Sequence, residues 1–159
     1  MHSELSIEVA APPERVYRLA RDVTRWARLL PHYSRSRAVE TRPDGSVVAE
    51  FVARRALPGP LGVLGLAVPV AWRSRTWHEP DTRRLRFVHQ GGATAGMDVT
   101  WTIESTDDVG HACRVTIAHD FAPRFAPWSG FIDRWFTRAI AGRTLATFKA
   151  LAETLEEPA

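Results

Sequence analysis

Residues 97–121, MDVTWTIESTDDVGHACRVTIAHDF, alternate apolar and polar side chains on both sides of Asp107, Asp108, Val109 and Gly110. That alternation is the period of a half-buried strand, so the stretch reads as two strands divided by a turn. Met97, Val99, Trp101 and Ile103 fall on one face of the first strand. Cys113, Val115, Ile117, His119 and Phe121 make the matching face of the second.

Upstream the same pattern recurs at 34–41 (SRSRAVET), 46–55 (SVVAEFVARR), 66–79 (LAVPVAWRSRTWHE) and 83–90 (RRLRFVHQ), with breaks at Gly45, at Pro80–Thr82 and over 90–96. Six strands in a row with short breaks imply an antiparallel meander. The chain begins with a further alternating strand, ELSIEVA at 4–10. Pro12 and Pro13 then open a helix carrying Val16, Leu19, Ala20 and Val23. A second, short helix starts at a Thr24 cap, carries Trp26, Leu29 and Leu30, and ends at Pro31. A helix so short must lie on an apolar surface to persist in water.

The last segment, about 128–157, reads as a long helix. Trp128, Ile132, Trp135, Ala139 and Ala146 share one face, whereas Phe148, Leu151 and Leu155 lie nearly opposite. A stripe that changes sides implies a bend or two different neighbours, and Gly142 sits near the change, so a kink is expected there.

Composition narrows the function classes. The 159 residues suit one domain spanning 1–159, and a single cysteine, Cys113, precludes an internal disulfide and a thiolate metal cluster. Twenty of the 21 basic residues are arginine, yet the net charge is only +3 and the arginines are interspersed with acids. No aromatic-plus-basic module accompanies them, so no nucleic-acid partner is expected. The N-terminus lacks a basic start followed by a long apolar run, which makes the cytoplasm the expected location. The six histidines show no metal-like spacing within one element, and no nucleotide-loop, HExxH or GxSxG sequence occurs. Convergence of His78, His89 and His119 across strands is the remaining route to a metal site; none is expected, and no cofactor is expected either.

The order β-α-α-β6-α describes an α+β fold in which a curved antiparallel sheet wraps around a long C-terminal helix. With IEVAAPPERVYRLARDVTRWARLLPHY at the start, WTIE in a late strand and FAPWSGFIDRWFTRAIAGRTLATFKALAETLEE at the end, the sequence resembles the START-like helix-grip superfamily, specifically its polyketide cyclase/dehydrase and lipid-transport branch. The resemblance covers nearly the whole chain. It implies an internal cavity between sheet and last helix that takes a hydrophobic small molecule: a polyketide, a lipid or a quinone. Cyclisation and dehydration of a poly-β-ketone is the activity it points to, with an acyl carrier protein as a candidate partner; non-catalytic lipid or quinone transfer is the alternative.

The candidate lining comprises Trp26, Leu29 and Leu30 from the short helix as a roof, and Ile132 and Trp135 from the last helix. Phe51, Trp72, His78, His89, Met97, Val99, Trp101 and Ile117 are its strand positions. Two residues are candidates for proton transfer. Tyr33 is the positional match of a cavity tyrosine in cyclases of this resemblance, with packing at the cavity edge as the other reading. His119 stands on an inward row, either as a satisfied core histidine or as a group that polarises a ligand. Along 68–78, Val68, Val70, Trp72, Ser74, Thr76 and His78 are taken as the inward face, which leaves Arg73 and Arg75 outside. The opposite choice would aim both arginines at an enolate or carboxylate.

Residues 56–72, ALPGPLGVLGLAVPVAW, carry no charge between Arg55 and Arg73. Their prolines and glycines are incompatible with a spanning helix. Leu61, Val63, Leu64 and Leu66 are expected to cover the cavity mouth, a partner or a membrane surface, unless the segment packs into its own core.

Overall fold

The computed structural model describes residues 1–57, 59–91, 94–122 and 137–154. Seven strands form one antiparallel sheet: β1 (His2–Val9), β2 (Tyr33–Thr41), β3 (Val47–Ala56), β4 (Ala67–Glu79), β5 (Arg84–His89), β6 (Asp98–Ser105) and β7 (Cys113–Asp120). Their spatial order is β1-β7-β6-β5-β4-β3-β2. Six strands are therefore a continuous meander, and β1 pairs with β7, with His2 opposite Asp120 and Val9 opposite Cys113. Register slips in β2 between Tyr33 and Arg35 and between Ala38 and Glu40 mark bulges that bend this edge.

Helix α1 (Pro13–Arg21) begins with Pro13 at its first turn, where a missing N–H costs nothing, and buries Val16, Tyr17 and Ala20. The connection that follows differs from the sequence reading in its cap. Asp22, not Thr24, closes it, its carboxylate accepting from the Thr24 amide at 3.1 Å and the Thr24 hydroxyl at 2.6 Å. Val23 belongs to this 3₁₀ turn (Val23–Arg25), and α2 is the single turn Trp26–Leu29. Leu30 returns to an extended backbone ahead of Pro31.

Between β3 and β4 stands α3 (Pro60–Val63), and the last described helix is α4 (Arg138–Thr154). Helix α4 packs on β1, α1 and β3. Its buried stripe is Ile140, Ala141, Thr144, Leu145, Phe148 and Ala152, a single face repeating at three and four. The expected change of face does not occur within α4: Ala139 is half-buried and Ala146 exposed, and the helix runs without interruption across Gly142. Reading small alanines as stripe members caused the error, because alanine is tolerated on either face. The earlier part of that expectation, Trp128, Ile132 and Trp135, lies outside the described residues, as does Leu155.

Sheet, α1, α2 and α4 enclose one core. In it Trp26, Phe51, Phe87, Trp101 and Phe148 meet face and edge, and each such ring withdraws apolar surface worth roughly 1.5–3 kcal/mol.

Candidate functional site

Strand periodicity builds one wall. Phe51 on β3 stacks on Trp72 of β4 at 5.4 Å and 21°, and Trp72 stacks in turn on His89 of β5 at 6.0 Å and 22°. The inward face of β4 is thus the one holding Trp72, Ser74 and Thr76, all buried, with Arg73 exposed and Arg75 paired outside with Asp44. The arginine clamp is excluded by that register: a residue at an odd position of β4 points away from the core.

Strands β6 and β7 extend the wall through Met97, Val99, Trp101, Ile117 and His119. His119 lies opposite Val99, and the His89 amide bonds the Met97 carbonyl at 2.9 Å, so the two histidines flank β6 on its inward side. Helix α4 supplies the facing wall with Ile140, Ala141 and Thr144, preceded by Thr137. The space between these walls is about 60 Å³.

Of the lining residues expected from sequence, Trp26, Phe51, Trp72, His89, Met97, Val99, Trp101 and Ile117 line this cavity, together with Tyr33 and His119. Three are elsewhere. Leu30 is buried in the core without lining the cavity, and Leu29 is half-buried against the core. His78 is exposed near the end of β4, its Nδ1 2.9 Å from the Tyr17 hydroxyl, so it does not converge with His89 and His119. Ile132 and Trp135 lie outside the described residues. Among the described residues, no three metal-ligating side chains come together.

Trp26 is buried against the cavity, on the side the short helix was expected to cover. Its indole, 3% exposed, goes down into the cavity and lies 5.4–5.8 Å from the rings of Tyr33, Phe51, Phe87, Trp101 and Phe148. Its Nε1–H donates to the Ala20 carbonyl at 2.9 Å, which fixes the ring from behind. The α2 turn is therefore pinned to the cavity lining by its own side chain.

The polar groups cluster at two places on this apolar lining. At one end Tyr33, the first residue of β2, bonds Thr144 through its hydroxyl, and burial raises its pKa above the ordinary phenol value. Thr144 Oγ donates to the Ile140 carbonyl at 2.8 Å and lies 3.0 Å from His32 Nε2. With its one proton committed, the Thr144 oxygen accepts from both neighbours. His32 is held neutral: burial, aided by the Arg143 charge, lowers its pKa to about 4.

At the other end His89 Nδ1 is 2.7 Å from Thr94 Oγ. Burial, with His119 close by, lowers the His89 pKa to about 3. Among the described lining residues there is no carboxylate, ammonium or guanidinium. Such a site favours a neutral molecule with an apolar body and one or two carbonyl or hydroxyl groups, since an unpaired charge would be desolvated there.

Phe87, Thr137, Ile140, Ala141 and Thr144 are lining residues that the sequence reading missed. Phe87 follows from the alternation of Leu85, Phe87 and His89 and was within reach. The α4 residues were hidden by the misjudged helix face.

The family model described as "Polyketide cyclase / dehydrase and lipid transport" matches residues 1–156. No curated protein matches the sequence. Among solved structures, the di-domain ARO/CYC BexL from the BE-7585A biosynthetic pathway is 25% identical with a TM-score of 0.73; the alignment covers 99% of this chain and 48% of BexL, so this chain spans about half of that protein. Zhui aromatase/cyclase from Streptomyces sp. R1128 superposes with a TM-score of 0.77 at 18% identity, over 96% of this chain and 93% of Zhui. A START superfamily protein from Mycobacterium smegmatis gives a TM-score of 0.67 at 12% identity, covering 94% and 98%. With its curved seven-stranded sheet and C-terminal helix, the chain belongs to the polyketide cyclase/dehydrase and lipid transport family and has the START-like helix-grip fold.

Proposed function

We propose that the chain binds a hydrophobic small molecule in this cavity and acts on it as an aromatase-type polyketide cyclase, closing a poly-β-ketone by aldol addition and dehydrating the product. One observation carries the reading: a protonated phenol and two imidazoles face a largely apolar, aromatic space that holds no charged side chain among the described lining residues. His119 removes a proton from a methylene flanked by two carbonyls. The resulting enolate attacks a carbonyl held nearby, and Tyr33 protonates the alkoxide that forms. His89, with its pKa near 3, is too weak a base for the first step and serves as a hydrogen-bond partner for a carbonyl. The new hydroxyl then leaves as water with the proton that His119 gained, while the Tyr33 phenolate removes the remaining proton from the attacking carbon, which forms the double bond and restores both residues. Wall contacts that hold one conformer of a flexible chain supply most of the rate.

A volume of about 60 Å³ corresponds to roughly two water molecules at liquid density, so a poly-β-ketone enters only if lining side chains such as the Trp26 indole swing aside. The substrate is expected in the cytoplasm, delivered by an acyl carrier protein.

The absence of a charged base from the described lining favours a second reading, a lipid or quinone carrier with no chemistry of its own. Incubation with a poly-β-ketone thioester analogue separates the two. A cyclase yields an aromatic product lighter by one water, faster than in buffer; conversion no faster than in buffer, with a lipid or quinone retained in native mass spectrometry, establishes the carrier.

A further inference from the structure

The β3–β4 hairpin ends in an apolar tip that lines no described part of the cavity. Val63 and Leu64 are 89% and 76% exposed, and Leu61, Leu66 and Val68 are exposed beside them. The tip is a built structure. The Leu57 amide bonds the Leu66 carbonyl, and the Leu64 amide bonds that of Pro60, both at 3.0 Å. At Gly62 a Cβ would fall 1.9 Å from the Leu57 carbonyl oxygen, and Gly65 has φ +79°; both positions require glycine. The turn thus holds its leucines and valine outward.

Charge around the tip has one sign. From residue 51 to residue 78 the charged residues are Arg54, Arg55, Arg73 and Arg75, with no carboxylate. At the root of the hairpin, Arg54 and Arg55 meet Arg143 of α4 and His32 around a recess of about 90 Å³. Arg54 and Arg143 are exposed, and no carboxylate lies on the recess wall among the described residues.

We propose that this end of the molecule is a peripheral membrane-binding surface, in which Leu61, Val63, Leu64 and Leu66 enter the interface of a bilayer while Arg54 and Arg143 engage the phosphates of anionic lipids. A protruding apolar tip suits the soft headgroup boundary, and cations at its base lie where anionic headgroups would be. Insertion is shallow, for no described helix is long and apolar enough to cross a membrane. The surface works alike for a cyclase that collects or delivers an apolar molecule and for a carrier.

Flotation of the full chain with vesicles of phosphatidylcholine alone, and of phosphatidylcholine mixed with phosphatidylglycerol, tests it. The parent chain should float with mixed vesicles. The Val63→Asp/Leu64→Asp variant should lose this by about 10-fold or more. Arg54→Glu/Arg143→Glu should abolish the preference for mixed vesicles, and added salt should weaken binding by the parent chain. Circular dichroism checks that the variants fold. As an independent reading, Leu64→Cys carrying a nitroxide label should become shielded from an aqueous relaxation agent on mixed vesicles, Cys113 being buried and unlabelled. Failure of the parent chain to bind vesicles, or equal binding by the Asp variant, overturns the proposal. So does a concentration-dependent dimer, or capture of an acidic carrier protein, that the Asp substitutions abolish while vesicles are ignored.

Discussion

Tyr33 packs in the core, and the proposed reaction also asks it to donate a proton, two demands on one side chain. Its ring touches Trp26, Phe51 and Trp72 at 5.6–6.2 Å, so the ring itself is part of the core. Its hydroxyl, by contrast, is held by Thr144 and kept protonated by burial. Tyr33→Phe separates the duties: the ring contacts remain, and only the bond to Thr144 is lost, at a cost of about 0.5–1.5 kcal/mol. If Tyr33 protonates the alkoxide, kcat on a verified poly-β-ketone falls by about 10- to 1000-fold while the melting temperature changes little. Equal turnover by the two proteins would leave Tyr33 as packing. The position of Tyr33 after a proline-terminated turn was readable from sequence. The Thr144 hydroxyl was not, because its role arises only where α4 meets Tyr33 across the fold, and no local pattern encodes that meeting.

At the scale of elements, α2 is one helical turn that persists because Trp26 is buried among five aromatic rings. The strands and their order were legible because a period of two leaves little choice of face: Phe51, Trp72, Met97, Val99, Trp101 and Ile117 all fall on the inner side. Helix faces were less legible, since Ala139 and Ala146 carry little orientational information and the stripe through Thr144 includes a polar residue. For α2 the apolar character and a place for Trp26 at the cavity were evident, but not how its ring would be held there or that Leu29 would lie at the periphery. That outcome depends on the Ala20 carbonyl, which accepts the indole N–H. Replacing Trp26 by Ala should enlarge the cavity and destabilise the fold by about 3–5 kcal/mol. A bound apolar dye should then raise the melting temperature of the variant more than that of the parent, because the ligand refills the space. If the variant gains no dye affinity and no dye-dependent stability, the indole is not what restricts the cavity.

For the whole molecule, two buried neutral histidines tie stability to pH. In the unfolded chain each titrates near 6.5, whereas in the fold His32 titrates near 4 and His89 near 3. Below about pH 6.5 the unfolded chain therefore binds protons that the folded chain refuses, so acid favours unfolding and the stability present at neutral pH is withdrawn as pH falls. Each histidine withdraws up to about 1.4 kcal/mol per pH unit until its folded value is reached. Two together remove on the order of 5 kcal/mol by about pH 4.5, comparable to the whole stability of a typical domain at about 5–15 kcal/mol. Lowered carboxylate pKa values at Asp44, Glu50, Asp107 and Glu153 act in the same direction at lower pH, because those groups lose their ion pairs and hydrogen bonds as they protonate. The melting temperature should thus fall steadily from about pH 7 to about pH 4, with a slope present already above the carboxylate range. His32→Gln lowers stability at neutral pH, since the amide replaces the imidazole imperfectly, but it removes one titrating group and should flatten the slope between about pH 6.5 and pH 5. A parent chain whose melting temperature is constant across that interval, or a variant with an unchanged slope, would show that His32 is not held neutral by the fold.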